Sequence, residues 1–339
     1  MKRLTIHSAA ALLKGAAHVL VIGHSQPDGD CLGSMTALAL GLEALGKAVT
    51  VWADEPVPIK YRFIAGNIQR PDPAAAHGID LIAVVDTPSL ARIGINRELL
   101  PAGVATLSFD HHPIGREEFT YAVNDPAQAA AGCMVFDLLR ELGVPITRNI
   151  ANALYAAIIT DTGSFTYATV NRRVFEIVLE LIDAGVVAHD IARMIYGSGS
   201  VTQMRLLGAA LNTLELVHSG KGALMHLSRE MQNAEHCTQP DTENFVNFAR
   251  AILGVEVAAM VTEMPDDVLR LSLRAKKPGV DVSLLAQEFG GGGHPGAAGA
   301  IVHEPFSAFM PKLRVHLNAF LERLHAHTAA KHPHGSDHP

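Results

Sequence analysis

Cysteine is scarce in this 339-residue chain: Cys31, Cys133 and Cys237 are odd in number, far apart and match no metal-binding spacing. That excludes a disulfide framework and a thiolate zinc module, and predicts a reducing, cytoplasmic setting. Aromatic residues make up 5% of the chain, with a single Trp, too few for a long platform on which successive bases of a single strand stack. Positive charge is not in excess. Against 34 Asp and Glu there are 27 Lys and Arg, a formal net charge of -7, so the basic stripe that long duplex nucleic acid requires is absent. No apolar run approaches the roughly 18 residues of a membrane span. The opening MKRLTIHSAAALLKGAAH is broken by Lys14 and His18, and predicts an amphipathic helix N-capped by Ser8, not a targeting signal.

What the chain has is apolar residues, 48% of the total, with 18% charged. At this length that predicts about two domains, each able to bury a core. In the first half, VLVI (19–22), VTVW (49–52), DLIAVVD (80–86) and VATLSFD (104–110) read as buried strands alternating with helical stretches such as 33–45, 127–142, 149–160 and 171–184. Such alternation predicts an α/β fold with a doubly wound, mainly parallel sheet. A small-residue stretch, GSGSV (197–201), opens an expected flexible linker over 197–213. Beyond it, VEVAAMVTEM and VLRLSLRAK flank Pro265-Asp266-Asp267 as a hairpin, and strands grouped with helices predict a second, smaller α+β domain. The expected division is 1–196, linker 197–213, 214–325, and a disordered His-rich tail over 326–339 whose metal binding would be adventitious.

Chemistry concentrates where the first-half elements end. The strand VLVI runs into HSQPDGD, with His24, Asp28 and Asp30; another ends on Asp86; a third ends on Asp110 and continues as His111-His112; a helix runs into Asp161. Each alone reads equally as a turn or an N-cap with solvated carboxylates. Four at the carboxyl edge of one sheet form a ligand site of the kind open α/β sheets build. Oxygen donors outnumber imidazoles and no thiolate contributes, the three cysteines being read as packing thiols, which points to manganese or magnesium, and the donors suffice for two divalent ions. In the second half, GGGGHPGAAG (290–299) is either a mobile loop or a cradle of backbone N–H groups for an anion, with a helix expected to start at Gly296-Ala297-Ala298. An edge strand is expected at AIVHE (300–304). Arg274 is either a bidentate phosphate contact or a solvated hairpin end.

HSQPDGD, VVDT, the Asp110-His111-His112 triplet and DTGSF resemble, in order, the first four motifs of the DHH phosphoesterase superfamily, and GGGGHPGAAG resembles the glycine-rich signature of its DHH-associated C-terminal domain. The match spans about residues 1 to 325. Order and length resemble the bacterial nanoRNase type. That resemblance implies hydrolysis of short oligoribonucleotides and of 3'-phosphoadenosine 5'-phosphate (pAp), with a phosphodiesterase of the cyclic-dinucleotide pathway (c-di-AMP or pApA) as the alternative. A non-catalytic nucleotide sensor is the rival of another class, opposed by the intact ligand set. By the same resemblance, His24 and Asp28 hold one manganese, Asp30, His111 and Asp161 a second, and Asp86 bridges both. Asp110 orients its neighbours, and His112 faces the substrate, a candidate for hydrogen bonding to the phosphate or for protonating the leaving oxygen, against a purely structural role. Gly291, Gly292, Gly293, His294 and Arg274 bind substrate. A cleft that closes between the domains is implied, and apolar helices in the first domain are compatible with a homodimer.

Overall fold

The computed structural model describes residues 1–331 except 54, 73–75, 94, 96, 113–117, 238–241, 243 and 278. The chain forms two compact units, Met1–Ser198 and Gly199–Pro339. In the first, β1 (Lys2–Arg3), α1 (Ile6–Gly15), β2 (His18–Ile22), α2 (Gly29–Ala44), β3 (Ala48–Trp52), β4 (Leu81–Val85), β5 (Ala105–Asp110) and β6 (Tyr121–Asn124) precede α3 (Ala131–Leu142), α4 (Arg148–Asp161), α5 (Arg172–Asp183) and α6 (Ala188–Tyr196). The strands make one sheet in the order β1-β6-β5-β4-β2-β3, with every pairing parallel. Period-two alternation builds both faces. Val19 and Val21 of β2 pack with Leu32, Met35 and Leu38 of α2, whereas Leu20 and Ile22 pack with Trp52, Ile82, Val84 and Ile93 on the opposite face.

Strand order reverses between β2 and β4: from β2 the chain goes outward to β3, then crosses to the other side. Ligands of open parallel sheets bind outside the carboxyl ends at such a reversal. The ends of the adjacent strands β2, β4 and β5 therefore bring His24, Asp86 and the Asp110-His111-His112 run side by side.

Three local expectations change. The cap of α1 is Thr5, whose side chain accepts from the amide of Ser8 at 3.2 Å; Ser8 stands where the amide needs a cap. Helix α2 starts four residues earlier than expected, because the Asp28 carboxylate accepts from the amides of Asp30 and Cys31, both at 3.0 Å. The Pro-Asp-Gly stretch is thus a helix N-terminus. Strands β1 and β6 escaped the sequence reading because they are only two and four residues long.

The second unit holds α7 (Val201–Asn212), β7 (Glu215–Val217), β8 (Gly222–Leu227), α8 (Arg229–Ala234), α9 (Phe245–Ala251), β9 (Val257–Glu263), β10 (Val268–Ala275), α10 (Ser283–Gln287), β11 (Gly292–His294), β12 (Ala297–His303) and α11 (Phe306–Lys331). Its mixed sheet has the order β11-β12-β10-β9-β8-β7. The stretch expected to link the units carries α7, whose Leu206 and Ala210 pack in the second unit's core. The helix expected at 296–298 is instead a turn at Gly296 and the start of β12, whereas residues 300–303 pair on one side only, with β10, as an edge strand does. Sterics explain the difference: a Cβ on Gly299 would collide with the backbone oxygen of Leu271, and Cβ atoms on Gly291 and Gly293 would collide with β12. The glycines allow close strand pairing. Residues 332–339 of the expected tail lie outside the described residues, and no described helix is long and apolar enough to cross a membrane.

Candidate metal centre

At the carboxyl edge of the first sheet, the six residues anticipated as ligands converge in one cluster, with Asp30, Asp86 and His111 buried and Asp28 and Asp161 partly exposed. His24 Nε2 lies 3.4 Å from Asp86 Oδ2 and 3.7 Å from Asp28 Oδ1. His111 Nε2 lies 3.5 Å from Asp86 Oδ1, 3.6 Å from Asp30 Oδ2 and 3.4 Å from Asp161 Oδ2. Asp86 is shared by both groups. It sits in left-handed backbone, φ 56°, a conformation that costs a non-glycine residue about 1–2 kcal/mol and that the surrounding fold must impose. Its amide is tied to the Phe109 carbonyl at 2.9 Å, which fixes the end of β4 against β5.

Backbone partners choose which ring nitrogen each imidazole presents. Nδ1 of His24 donates to the Ser25 carbonyl at 2.7 Å, and Nδ1 of His111 to the Gln128 carbonyl at 3.2 Å, so both rings turn Nε2 toward the carboxylates. Metal-binding histidines are oriented in this way. Asp30 is held by α3: Oδ2 accepts from the Ala131 amide at 2.6 Å, and Oδ1 from the Gly132 amide at 2.9 Å and the Ser34 hydroxyl at 3.1 Å. Asp110 accepts from His112 Nδ1 at 2.8 Å, while Asn124 Nδ2 donates to the carbonyls of Asp110 and His112 at 3.0 and 2.9 Å. Asn124, Ser34, Ala131 and Gly132 escaped the sequence reading. Two of them act through backbone amides, which carry no side-chain signature; Asn124, at the end of β6, shares the sheet edge with the anticipated residues and was findable on that ground.

The electrostatics are those of a crowded anionic site. Burial alone would raise the Asp86 carboxyl, but the imidazoles of His111, His24 and His112 pull it far below the usual carboxylate range. Burial, reinforced by the charges of Asp86 and Asp28, pushes Asp161 up to about 6. Asp30 is raised as well, by burial and by Asp86 and Asp161. For His111, burial works against the charged form, and Asp86, Asp161 and Asp30 overcome it. Asp86 Oδ1 is buried yet makes no well-formed hydrogen bond. An orphaned buried carboxylate oxygen, amid excess negative charge and imidazoles with fixed tautomers, fits divalent cations. Asp30, Asp86 and His111 alone bring three donor atoms within 4.8 Å of one another.

In the second unit, Arg274 of β10 pairs with Ala297 of β12, and His294 of β11 pairs with the same Ala297. Arg274 and His294 therefore share a face two strands apart. Arg274 donates through Nη1 to the Leu273 carbonyl at 3.0 Å, and its Nε is buried without a hydrogen bond. Gly292 and Gly293 belong to β11, and Gly291 precedes it.

Comparison with known proteins gives a consistent picture. Residues 18–158 match the DHH family, N-terminal domain, and residues 229–325 match the DHHA1 domain. A bifunctional oligoribonuclease and PAP phosphatase NrnA of Thermus thermophilus is 30% identical over 285 residues, 83% of each chain. A protein of the same name from Bacillus subtilis is 24% identical over 300 residues, 84% of this chain and 89% of that one. Among solved structures, an exopolyphosphatase-related protein from Bacteroides fragilis superposes with a TM-score of 0.81 at 27% identity, covering 94% of this chain and 95% of that one. RecJ of Thermus thermophilus, solved with Mn2+, shares the fold at a TM-score of 0.54 and 17% identity, over 94% of this chain and 55% of that one.

Proposed function

The chain belongs to the DHH family, and from that premise we propose that it is a divalent-cation-dependent phosphoesterase that hydrolyses short oligoribonucleotides and removes the 3'-phosphate of pAp. One observation carries the reading: six ligand-type side chains from four separate strand and helix ends meet in one cluster around the buried Asp86. We assign His24, Asp28 and Asp86 to one cation, and Asp30, His111, Asp161 and Asp86 to a second, with manganese as the first choice for both. Bound there, the cations supply the charge that lowers the pKa of a water and stabilises the phosphoryl oxygens.

The chain's own residues do the rest. Asp86 joins the two halves and fixes their spacing through its constrained backbone. Ser25 and Gln128 hold His24 and His111 in one tautomer, so that no reorganisation is needed on binding. The carboxylate of Asp110, at 2.8 Å from His112 Nδ1, orients that ring, and we assign His112 to the phosphate or the leaving oxygen. Arg274, His294 and the Gly291-Gly292-Gly293 backbone take the remaining phosphates or the substrate terminus. A net charge of -7 with few aromatics suits short substrates better than long ones.

The test is a panel on the manganese-loaded full chain: pAp, RNA of two to five nucleotides, and pApA. Release of mononucleotides from short RNA together with AMP from pAp is expected. Turnover of pApA alone would move the chain to the cyclic-dinucleotide reading, and binding without turnover to the sensor.

A further inference from the structure

The cluster contains a donor that the proposed cation assignments leave unused. Cys31 lies in the first turn of α2, wholly buried, with its amide hydrogen-bonded to the Asp28 carboxylate at 3.0 Å. Its Sγ and one ligand atom each of His24 and Asp86 all lie within 4.8 Å of one another. The space for the sulfur is made by Gly23, where a Cβ would overlap Sγ. The thiol meets the thioether of Met35 at 3.8 Å, a weak acceptor, and also interacts with the His24 imidazole. Nitrogen, oxygen and sulfur donors therefore converge on the His24 side of Asp86, whereas the group of Asp30, Asp86 and His111 found among the described residues brings nitrogen and oxygen.

We propose that Cys31 is an additional, soft donor at the His24 position, which makes that position selective for thiophilic divalent ions such as zinc or cadmium. The inference rests on the reading of the cluster as a cation centre and adds a difference between its two halves. Manganese and magnesium, being hard, are held by His24, Asp28 and Asp86 and leave the thiol protonated. A soft ion takes the sulfur: the S–H proton leaves to solvent as the sulfur–metal bond forms, and oxidation states do not change. Two ions of different character can then occupy the two halves, and a thiophilic ion displaces manganese from the His24 half first.

The experiment uses the reduced full chain, stripped of metal and titrated with cadmium, with thiolate-to-cadmium charge transfer followed in the ultraviolet. Calorimetry counts the bound ions, and electron paramagnetic resonance follows displaced manganese. Wild type, Cys133→Ser and Cys237→Ser should develop the band; Cys31→Ser should not, and should need about 10–100 times more cadmium to displace manganese, as expected when a metal's protein partner is removed. Cys31→Ala serves if the serine variant fails to fold. A band that survives in both Cys31 variants, or cadmium binding to wild type without a band, overturns the proposal and leaves the cation centre standing. A wild-type chain that binds neither cadmium nor manganese overturns the cation centre, and this inference with it.

Discussion

Asp86 is buried, carries a left-handed backbone and touches both imidazoles of the cluster. If it joins the two halves, Asp86→Ala should abolish cation binding and hydrolysis together, measured by calorimetry and by release of AMP from pAp; unchanged activity would remove the bridging role. His112 makes a narrower prediction. Replacing it with Gln removes the proton donor and keeps the cluster, so kcat should fall about 10²–10⁴-fold while the number of cations bound stays the same. The convergence of these six side chains was legible in the sequence because Asp and His residues follow directly on the ends of successive strands and helices. Cys31 was legible as a residue and not as a donor: nothing in its spacing reveals that Gly23 leaves room for its sulfur.

Helices α2 and α4 approach closely because Gly29 and Gly33 face Thr160, Ala153 and Ala157; a Cβ on Gly33 would lie 2.9 Å from that of Ala157. That approach brings Asp30, on α2, near Asp161, at the end of α4. Gly33→Ala should therefore cost about 1–3 kcal/mol of stability, as overpacking does, and should weaken cation binding although residue 33 is not a ligand; thermal melting with calorimetry checks both. Element type was readable for the long parallel strands, whose apolar runs are bounded by acidic residues. It failed at 296–298, where small residues read as a helix start. Pairing with β10 decides that conformation, and pairing is a long-range contact that local composition does not encode.

Each unit has its own core, and each carries a charged device suited to a separate test. In the second unit, Glu256 is buried against Lys277 at 2.7 Å, His325 at 3.0 Å and Lys221 at 3.2 Å, joining the start of β9 to α11. Burial would raise its carboxyl, but Lys277, His325 and Lys221 bring it down to about 2. A carboxylate whose folded pKa lies below its unfolded value of about 4.3 stabilises the fold above that value, and the contribution is lost as pH falls toward 2. Glu256→Gln should thus destabilise the chain by on the order of 2 kcal/mol near neutrality, allowing for the solvent around both lysines, and the difference from wild type should vanish between about pH 5 and pH 2. Arg274→Ala should raise KM for short RNA by about tenfold or more, the worth of a charge-assisted phosphate contact, with cation binding unaffected.

On the proposed reading, one cluster holds two cations, and these make the chain a hydrolase of short RNA and pAp. Manganese titrated into metal-stripped protein, with bound ions and AMP released from pAp measured on the same samples, tests it most directly. Two manganese ions per chain are predicted, with activity absent in the stripped protein and rising as the second ion binds. Full activity without metal, or a single ion bound at saturation, would contradict it.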